Sequence, residues 1–285
     1  MALHPVAWMG AYLKWAGSRL PTFEPAWAFT LGMAFWILGA AVMALLFGGV
    51  ALLLGRLPLW LAVPATALLL KTLLALRMLV EEVREVEKAL TDSLEAGRAR
   101  LSRIVSRDTS TLTESQVRES ALESLSENLS DSVVAPLLWF ALFGLAGAAV
   151  YRFANTADAM WGYRDRWEWA GKFAARVDDM LNWIPARLTA LAFIVAAGGW
   201  SVGWRRLRTE ASRTQSPNSG WPMAALALTL GVRLTKPGVY SLNGEGRAPS
   251  TPDVRLALRR SQRAAWGTAV AFALLSPLHP MVLLG

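Results

Sequence analysis

Residues 26–54 read AWAFTLGMAFWILGAAVMALLFGGVALLL, and no Asp, Glu, Lys or Arg occurs between Glu24 and Arg56. A helix over this stretch exceeds the roughly 30 Å hydrocarbon core of a bilayer, so a tilted crossing or an overhang past Gly48 and Gly49 is expected. Charge is also absent between Asp131 and Arg152, between Arg187 and Arg205, and after Arg263. With 54% hydrophobic and 18% charged residues and fourteen Trp, the composition argues against a soluble protein, a disordered chain or a disulfide scaffold. The expected fold class is an all-α polytopic membrane protein with about four to five membrane-embedded helices, some of them re-entrant, and a cytoplasmic helical arm and loops.

The chain contains no Cys, and His4 and His279 are its only His, at opposite ends. Disulfides, thiolate metal sites, cysteine nucleophiles and histidine-rich metal clusters are thereby excluded, and any metal must use oxygen ligands. The opening MALHPVAWMGAYLKW has no basic leader followed by a cleavable apolar core, so the spans themselves are expected to direct insertion. A net charge of +8 fits basic residues facing anionic lipid on the cytoplasmic side, and nucleic-acid binding is not expected.

The chain reads as a single membrane-embedded domain, 1–285. A helical hairpin at 26–80 holds the first span, a turn at 55–58 and a second span over 59–80. Lys71 lies within that second span, where an ionisable side chain either marks function or snorkels to the interface. The segment 81–132 is a cytoplasmic amphipathic arm with an acidic motif; from Met78 to Val105 apolar residues recur three or four apart, except across Ala96 and Gly97. Apolar core segments at 133–204 enclose a site loop at 152–187. A basic cytoplasmic loop at 205–263 follows, with a hairpin over 232–248 turning at Asn243-Gly244, and then a C-terminal span at 264–284 broken early by Pro277 and Pro280. Charge counting places 81–132 and 205–263 inside; strict alternation would then send 152–187 outside. That conflict is removed if the third apolar segment, with Pro136, Gly144 and Gly147, does not cross fully.

Carboxylates and carboxamides crowd the edges of the third segment. Glu119, Glu123, Glu127 and Asp131 recur every four residues, with Glu119 read as solvated. Asn128 and Asp131, Asn155 and Asp158, and Asp179 and Asn182 are each three apart and converge on one helical side. Such oxygen-only pairs suit Mg²⁺, which keeps positions open for substrate phosphate and water. Arg107, Arg152, Arg164, Arg176 and Arg187 supply phosphate partners. No Walker-type or kinase-type glycine loop is present. The residues alone point to a Mg²⁺-dependent membrane transferase or ligase.

The runs SRDTSTL (106–112), ESLSENLSDSVVAPLLWF (123–140), YRFANTADAMWGYRD (151–165), ARVDDMLNWIPARLTAL (175–191) and SPNSGWPMAALALTLGVRLTKPGVY (216–240) closely resemble the adenosylcobinamide-phosphate synthase family of cobalamin biosynthesis, called CbiB or CobD. HPVAWMG at 4–10 resembles the family's HPV-x-x-x-G, which there follows an apolar segment ending in Gly-Asp-Pro, upstream of where this sequence starts. Ser132 stands where the family commonly has Gly. The resemblance implies ATP-dependent amide formation between adenosylcobyric acid and (R)-1-aminopropan-2-yl phosphate, giving adenosylcobinamide phosphate. It further implies a multi-pass protein of the bacterial inner membrane with its site facing the cytoplasm. Expected partners are the two substrates, the lipid bilayer, and a second copy or other late cobalamin-pathway enzymes.

On that resemblance, Glu127, Asp131 and Asp158 are expected to ligate Mg²⁺, and Asp178 or Asp179 to serve a second metal or act as base. Asn128, Asn155 and Asn182 would orient phosphate or metal-bound water. Arg107 and Arg176 are assigned to phosphate, with Lys71 and Arg187 as further phosphate or substrate contacts. Arg176 and Asp179 have the alternative of a structural ion pair. Gly244 and Gly246 form a phosphate cradle or, more simply, a turn. Trp161, Trp183 and Trp221 line a corrin face or anchor at the interface. The competing reading is a Mg²⁺-dependent polytopic prenyl or phosphoalcohol transferase; the other is a non-catalytic membrane subunit.

Overall fold

A computed structural model describes residues 4–163, 166–199 and 202–275. Arg164, Asp165 and the expected breaks at Pro277 and Pro280 lie outside the described residues. Among the described residues, four helical stretches are long and apolar enough to cross a membrane, at Pro25–Leu54, Leu59–Asp92, Glu114–Trp161 and Lys172–Ala196. Apart from a two-stranded ribbon and the isolated bridge of Val232 with Arg247, the regular structure among the described residues is helical, in agreement with the expected class. It divides into two units, one built from residues up to Leu74, from Ala135–Asn182 and from Val270 onward, the other from Ala75–Val134 and Trp183–Ala269.

The first unit holds α1 (Pro5–Gly17), α2 (Pro25–Leu54), α3 (Leu59–Lys71) and α7 (Ala135–Trp161), together with the first half of α8 (Lys172–Ala196). Its core joins Met9, Leu13, Trp36, Phe153 and Trp161. Small residues let the helices approach closely, as they do in bilayers. A Cβ on Gly39 would overlap Phe153 and Tyr12, and one on Gly32 the carbonyl of Ala170. Outward residues of α2 and α3 remain apolar and exposed, among them Leu45 at 77% and Trp60 at 74%. In water such a surface would be a liability; facing lipid it is what a spanning helix presents.

Helix α7 is broken. Phe143 and Gly144 leave helical geometry, Gly144 at φ 62° and ψ −157°, a conformation that L side chains avoid. Beyond the break, a Cβ on Gly147 would lie 2.5 Å from the Trp139 carbonyl oxygen, whereas a straight helix separates residues eight apart by about 12 Å. The third apolar segment therefore folds back on itself, the broken element its glycines predicted.

The supposed loop at 152–187 is helical at both ends. Tyr151, Ala154, Ala157 and Trp161 are buried at helical spacing, which carries α7 through Trp161, and α8 resumes at Lys172. The second apolar stretch is two helices. It stops after Lys71 because the Ala75 amide donates to the Ser132 carbonyl (3.1 Å), leaving the helical ladder.

The second unit contains α4 (Leu76–Asp92), α5 (Leu94–Leu101) and α6 (Glu114–Leu129). Beyond these come the second half of α8, α9 (Trp204–Ala211), α10 (Gly220–Leu230), β1 (Leu234–Lys236), β2 (Tyr240–Leu242) and most of α11 (Thr251–Leu275). The single amphipathic helix expected over 78–105 is two. Ser93 is extended, its Oγ accepts from the Ala96 amide (3.1 Å) to cap α5, and Gly97 seats against Leu90. Arg118 on α6 forks onto Glu87 of α4 at 2.9 and 3.0 Å, and Thr251 Oγ1 donates to the same carboxylate (2.7 Å). The basic stretch 205–263 is mostly helical, and α11 starts well before residue 264.

The ribbon pairs Leu234 with Leu242 and Lys236 with Tyr240, so its turn is Pro237-Gly238-Val239, with Gly238 at φ 73°. Asn243-Gly244 forms the next turn instead, where Asn243 takes φ 47° and Gly246 donates to its carbonyl (2.7 Å). Glu119 is not solvated. It is 1% exposed, accepts from the Thr235 amide (2.9 Å) and from Ser115 Oγ (2.7 Å), and so holds the ribbon to α6.

Candidate functional site

The expected site residues fall into two groups, one in each unit. In the second unit, three of the quoted runs meet at a pocket of about 160 Å³. Its walls include Ser106 and Arg107 after α5, Glu123, Glu127 and Asn128 on α6, and Lys236 and Tyr240 from the ribbon. Local chemistry fixes each wall. Arg98 donates to the Leu112 carbonyl (2.7 Å) and Thr109 Oγ1 to the Arg98 carbonyl (3.1 Å), pinning the loop that carries Arg107 to α5. Helix α6 opens with a reciprocal Thr113–Gln116 capping box.

Within the pocket Arg107 Nη2 donates to Glu123 Oε2. Asn128 Nδ2 donates to the Ser124 carbonyl (2.9 Å) and Oγ (3.2 Å), which leaves its amide oxygen as the end for a ligand. Burial first, and then the neighbouring Glu123, raises the Tyr240 hydroxyl far above its ordinary value, so it stays a neutral donor. Asp131 lies in a π-helical turn, Ser130–Val134, that follows α6 and interrupts the four-residue stripe.

The first unit holds the carboxylate and carboxamide set of α7 and α8. Asn182 Nδ2 donates to Asp178 Oδ2 (2.9 Å), while Asn182 Oδ1 accepts from the Tyr151 hydroxyl (2.7 Å). Asn155 also adjoins the Asp178 carboxyl and accepts from Arg152 Nη1 (3.4 Å). Asp158 and Asp179 lie within electrostatic reach of one another. A Cβ on Gly162 would overlap Asp158 Oδ1, and the Gly162 amide donates to the Asp158 carbonyl (2.7 Å), so the chain turns tightly over that carboxylate.

These groups are oxygen donors only, and Asp178 Oδ1 is buried without a hydrogen-bond partner. Such a donor set fits a hard cation. Among the described residues no three acidic or His side chains are gathered to hold a metal by themselves. A site completed by substrate phosphate needs only one or two carboxylates.

Other expected residues are placed differently. Arg187 lies in the second unit, its guanidinium over the rings of Trp183 (4.3 Å) and Trp221 (4.7 Å), and it donates to Asn218 Oδ1 (3.1 Å). Lys71 is exposed at the end of α3 in the first unit. Arg176 is exposed and forms no ion pair among the described residues. Trp161 is 1% exposed and stacked on Trp167 at 6.2 Å, so it belongs to the core rather than to a ligand face or an interface. The Gly244–Gly246 segment is a turn.

The model of the family described as CobD/Cbib protein matches residues 1–268. The chain belongs to the CobD/Cbib family. It is 42% identical over 278 residues to a probable cobalamin biosynthesis protein CobD of Thermococcus kodakarensis, covering 96% of this chain and 88% of that one. It is 41% identical over 279 residues to the cobalamin biosynthesis protein CobD of Chromobacterium violaceum, covering 92% and 87%. To a probable CobD of Methanothermobacter thermautotrophicus it is 42% identical over 246 residues, covering 84% and 80%. No solved structure matches.

In this CobD/Cbib chain, Lys236 and Tyr240 are pocket residues that sequence reasoning missed. They stand inside the quoted run ending TKPGVY, and a lysine and a tyrosine flanking Pro-Gly signalled a two-sided turn. Tyr151 was likewise passed over, although it opens the run that holds Asn155 and Asp158.

Proposed function

We propose that the chain acts in cobalamin biosynthesis as an ATP-dependent amide-forming ligase of the bacterial inner membrane. It joins a propionate of adenosylcobyric acid to (R)-1-aminopropan-2-yl phosphate at a site facing the cytoplasm. The observation that carries this reading is the meeting of three family runs at one pocket lined by Arg107, Glu127, Asn128 and Lys236.

A carboxylate is a poor electrophile with a poor leaving group, so amide formation requires activation. In the proposed route the propionate oxygen takes the γ-phosphoryl group of ATP, releasing ADP. The neutral amine then attacks the acyl carbon and inorganic phosphate leaves with the original propionate oxygen. The ammonium must lose a proton first, and a carboxylate of the set, Asp178 or Asp179, is assigned to receive it. Arg107 and Arg176 are assigned to brace phosphoryl oxygens, with Lys71 and Arg187 as further phosphate contacts. Glu127, Asp131 and Asp158 are assigned to Mg²⁺, which when bound would supply charge neutralisation to phosphate. Asn128, Asn155 and Asn182 hold orientation through their amides.

Purified protein incubated with adenosylcobyric acid, (R)-1-aminopropan-2-yl phosphate and Mg-ATP should yield adenosylcobinamide phosphate by mass. With ¹⁸O in the propionate, label should appear in inorganic phosphate. Label in AMP would replace phosphorylation by adenylylation, and absence of the amide product would overturn the reading.

A further inference from the structure

Helix α11 has one long face that the described residues leave uncovered. Val254, Ala257, Ser261, Ala264 and Thr268 are buried at helical spacing and form its inner side. Arg255, Arg259, Arg263, Trp266, Val270 and Leu274 follow one another three or four apart along the opposite side, and all six are exposed.

Chemistry along that outer face is graded. The three arginines are four residues apart, and no Asp or Glu follows Asp253 on the helix. None of the three has a hydrogen bond or ion pair to the protein among the described residues. Arg260, beside them, gives Nη1 only to the neutral carbonyl of Thr229 (2.8 Å). Like charges at this spacing destabilise a helix, so the row calls for an anion from outside the chain. Trp266, 68% exposed, stands about 10 Å beyond Arg259 along the axis, and Leu274, 74% exposed, about 12 Å beyond Trp266.

The gradient selects the partner. An acidic protein or nucleic acid would match the arginines and leave Trp266, Val270 and Leu274 in water. Hydrocarbon alone would match those three and strand the guanidinium groups. Cation, indole and aliphatic side chain in that order correspond to the headgroup, the interface and the acyl region of an anionic leaflet.

We propose that α11 binds an anionic phospholipid, with its phosphate between Arg259 and Arg263, Trp266 at the level of its glycerol backbone, and Val270 and Leu274 along an acyl chain. Guanidinium groups take phosphate oxygens in pairs, and adjacent arginines can share one phosphate. A zwitterionic headgroup brings its own cation to the same arginines, so phosphatidylglycerol is favoured over phosphatidylcholine. None of these residues lines the pocket around Arg107, and the site is independent of the ligase reading.

The chain has no Cys, so Gln262→Cys, exposed one turn from Arg259 and from Trp266, can carry a single fluorophore on the full-length protein. Titrated in neutral detergent micelles, phosphatidylglycerol should half-saturate the signal at a mole fraction at least tenfold below that of phosphatidylcholine. Adding Arg259→Gln and Arg263→Gln should cut this preference to less than threefold, whereas Arg259→Lys with Arg263→Lys should keep more than threefold. Salt at about 1 M, which screens charges beyond roughly 3 Å, should also weaken it. Equal response of the parent to the two lipids would overturn the site, as would an undiminished preference in the double Gln variant. If that variant melts lower than the parent, Arg263→Gln alone should lose at least threefold, and a parent-like preference there is equally fatal. Glycerol phosphate acting as well as phosphatidylglycerol would replace the lipid by a free phosphate ester. Disulfide-linked dimers of unlabelled Gln262→Cys protein would give the face to a second copy instead.

Discussion

The Trp139 indole Nε1 donates to the carbonyl of Leu181 at 3.2 Å. That carbonyl is the one freed by Pro185, which lies four residues on inside α8 and has no N–H to offer it. A proline that opens one helix thereby creates the acceptor that fixes the first arm of α7, where the Trp139 ring also stacks on Phe143 at 5.8 Å beside the Gly144 break.

Trp139→Phe keeps the ring but leaves the Leu181 carbonyl unpaired. Destabilisation of about 0.6–2 kcal/mol is expected in detergent unfolding, the range for helix-to-helix hydrogen bonds in membranes. In a Pro185→Ala background the restored backbone amide at position 185 supplies the missing donor, so the cost of Trp139→Phe should shrink. Additive costs across the double-mutant cycle would refute this coupling.

Gly162→Ala pushes a methyl group into the Asp158 carboxylate. If Asp158 serves the site, turnover should fall at least tenfold while the protein still inserts and elutes as the parent does. Unchanged turnover would show that the carboxylate can move freely.

Glu127→Gln, Asp131→Asn and Asp158→Asn preserve volume and remove the charge that Mg²⁺ requires. Each should lose nearly all turnover with stability close to that of the parent. Near-normal activity in two of the three would end the assignment of these side chains to metal.

Asp253 receives both arms of Arg247, at 2.5 and 2.6 Å, and caps α11 by accepting from the Ser250 amide (2.8 Å). Arg247 and this cap outweigh burial and hold the carboxyl at about 2, against an ordinary value of 3.8. A lowered folded-state value means the stabilisation is present above about pH 4 and is lost as pH falls toward 2. Melting midpoints of the parent and of Asp253→Asn should therefore differ at pH 5, differ less at pH 2.5 and converge only below pH 2. In Arg247→Gln the drop between those pH values should flatten, and an unaltered profile would exclude the fork as its source.

Much of this protein is determined by composition along the chain. Long uncharged runs can satisfy their backbone in lipid only as helices, so 26–54 had to be α2, and Gly144 with Gly147 marked where the third segment breaks. The cap at Ser250–Asp253 and the box at Thr113–Gln116 are equally local, because their partners lie three residues apart. The family is legible for the same reason, as its runs are contiguous. What only the tertiary structure decided depends on partners far apart in sequence. Glu119 looked solvated by its spacing, yet the Thr235 amide claims it; the second span looked continuous, yet the Ser132 carbonyl takes the Ala75 amide. Lys236 and Tyr240 joined Arg107 and Glu127 because a turn at Gly238, not at Gly244, set the ribbon's register. A one-residue pattern records which face a side chain takes, but which distant donor or acceptor it meets is fixed only when the whole chain packs.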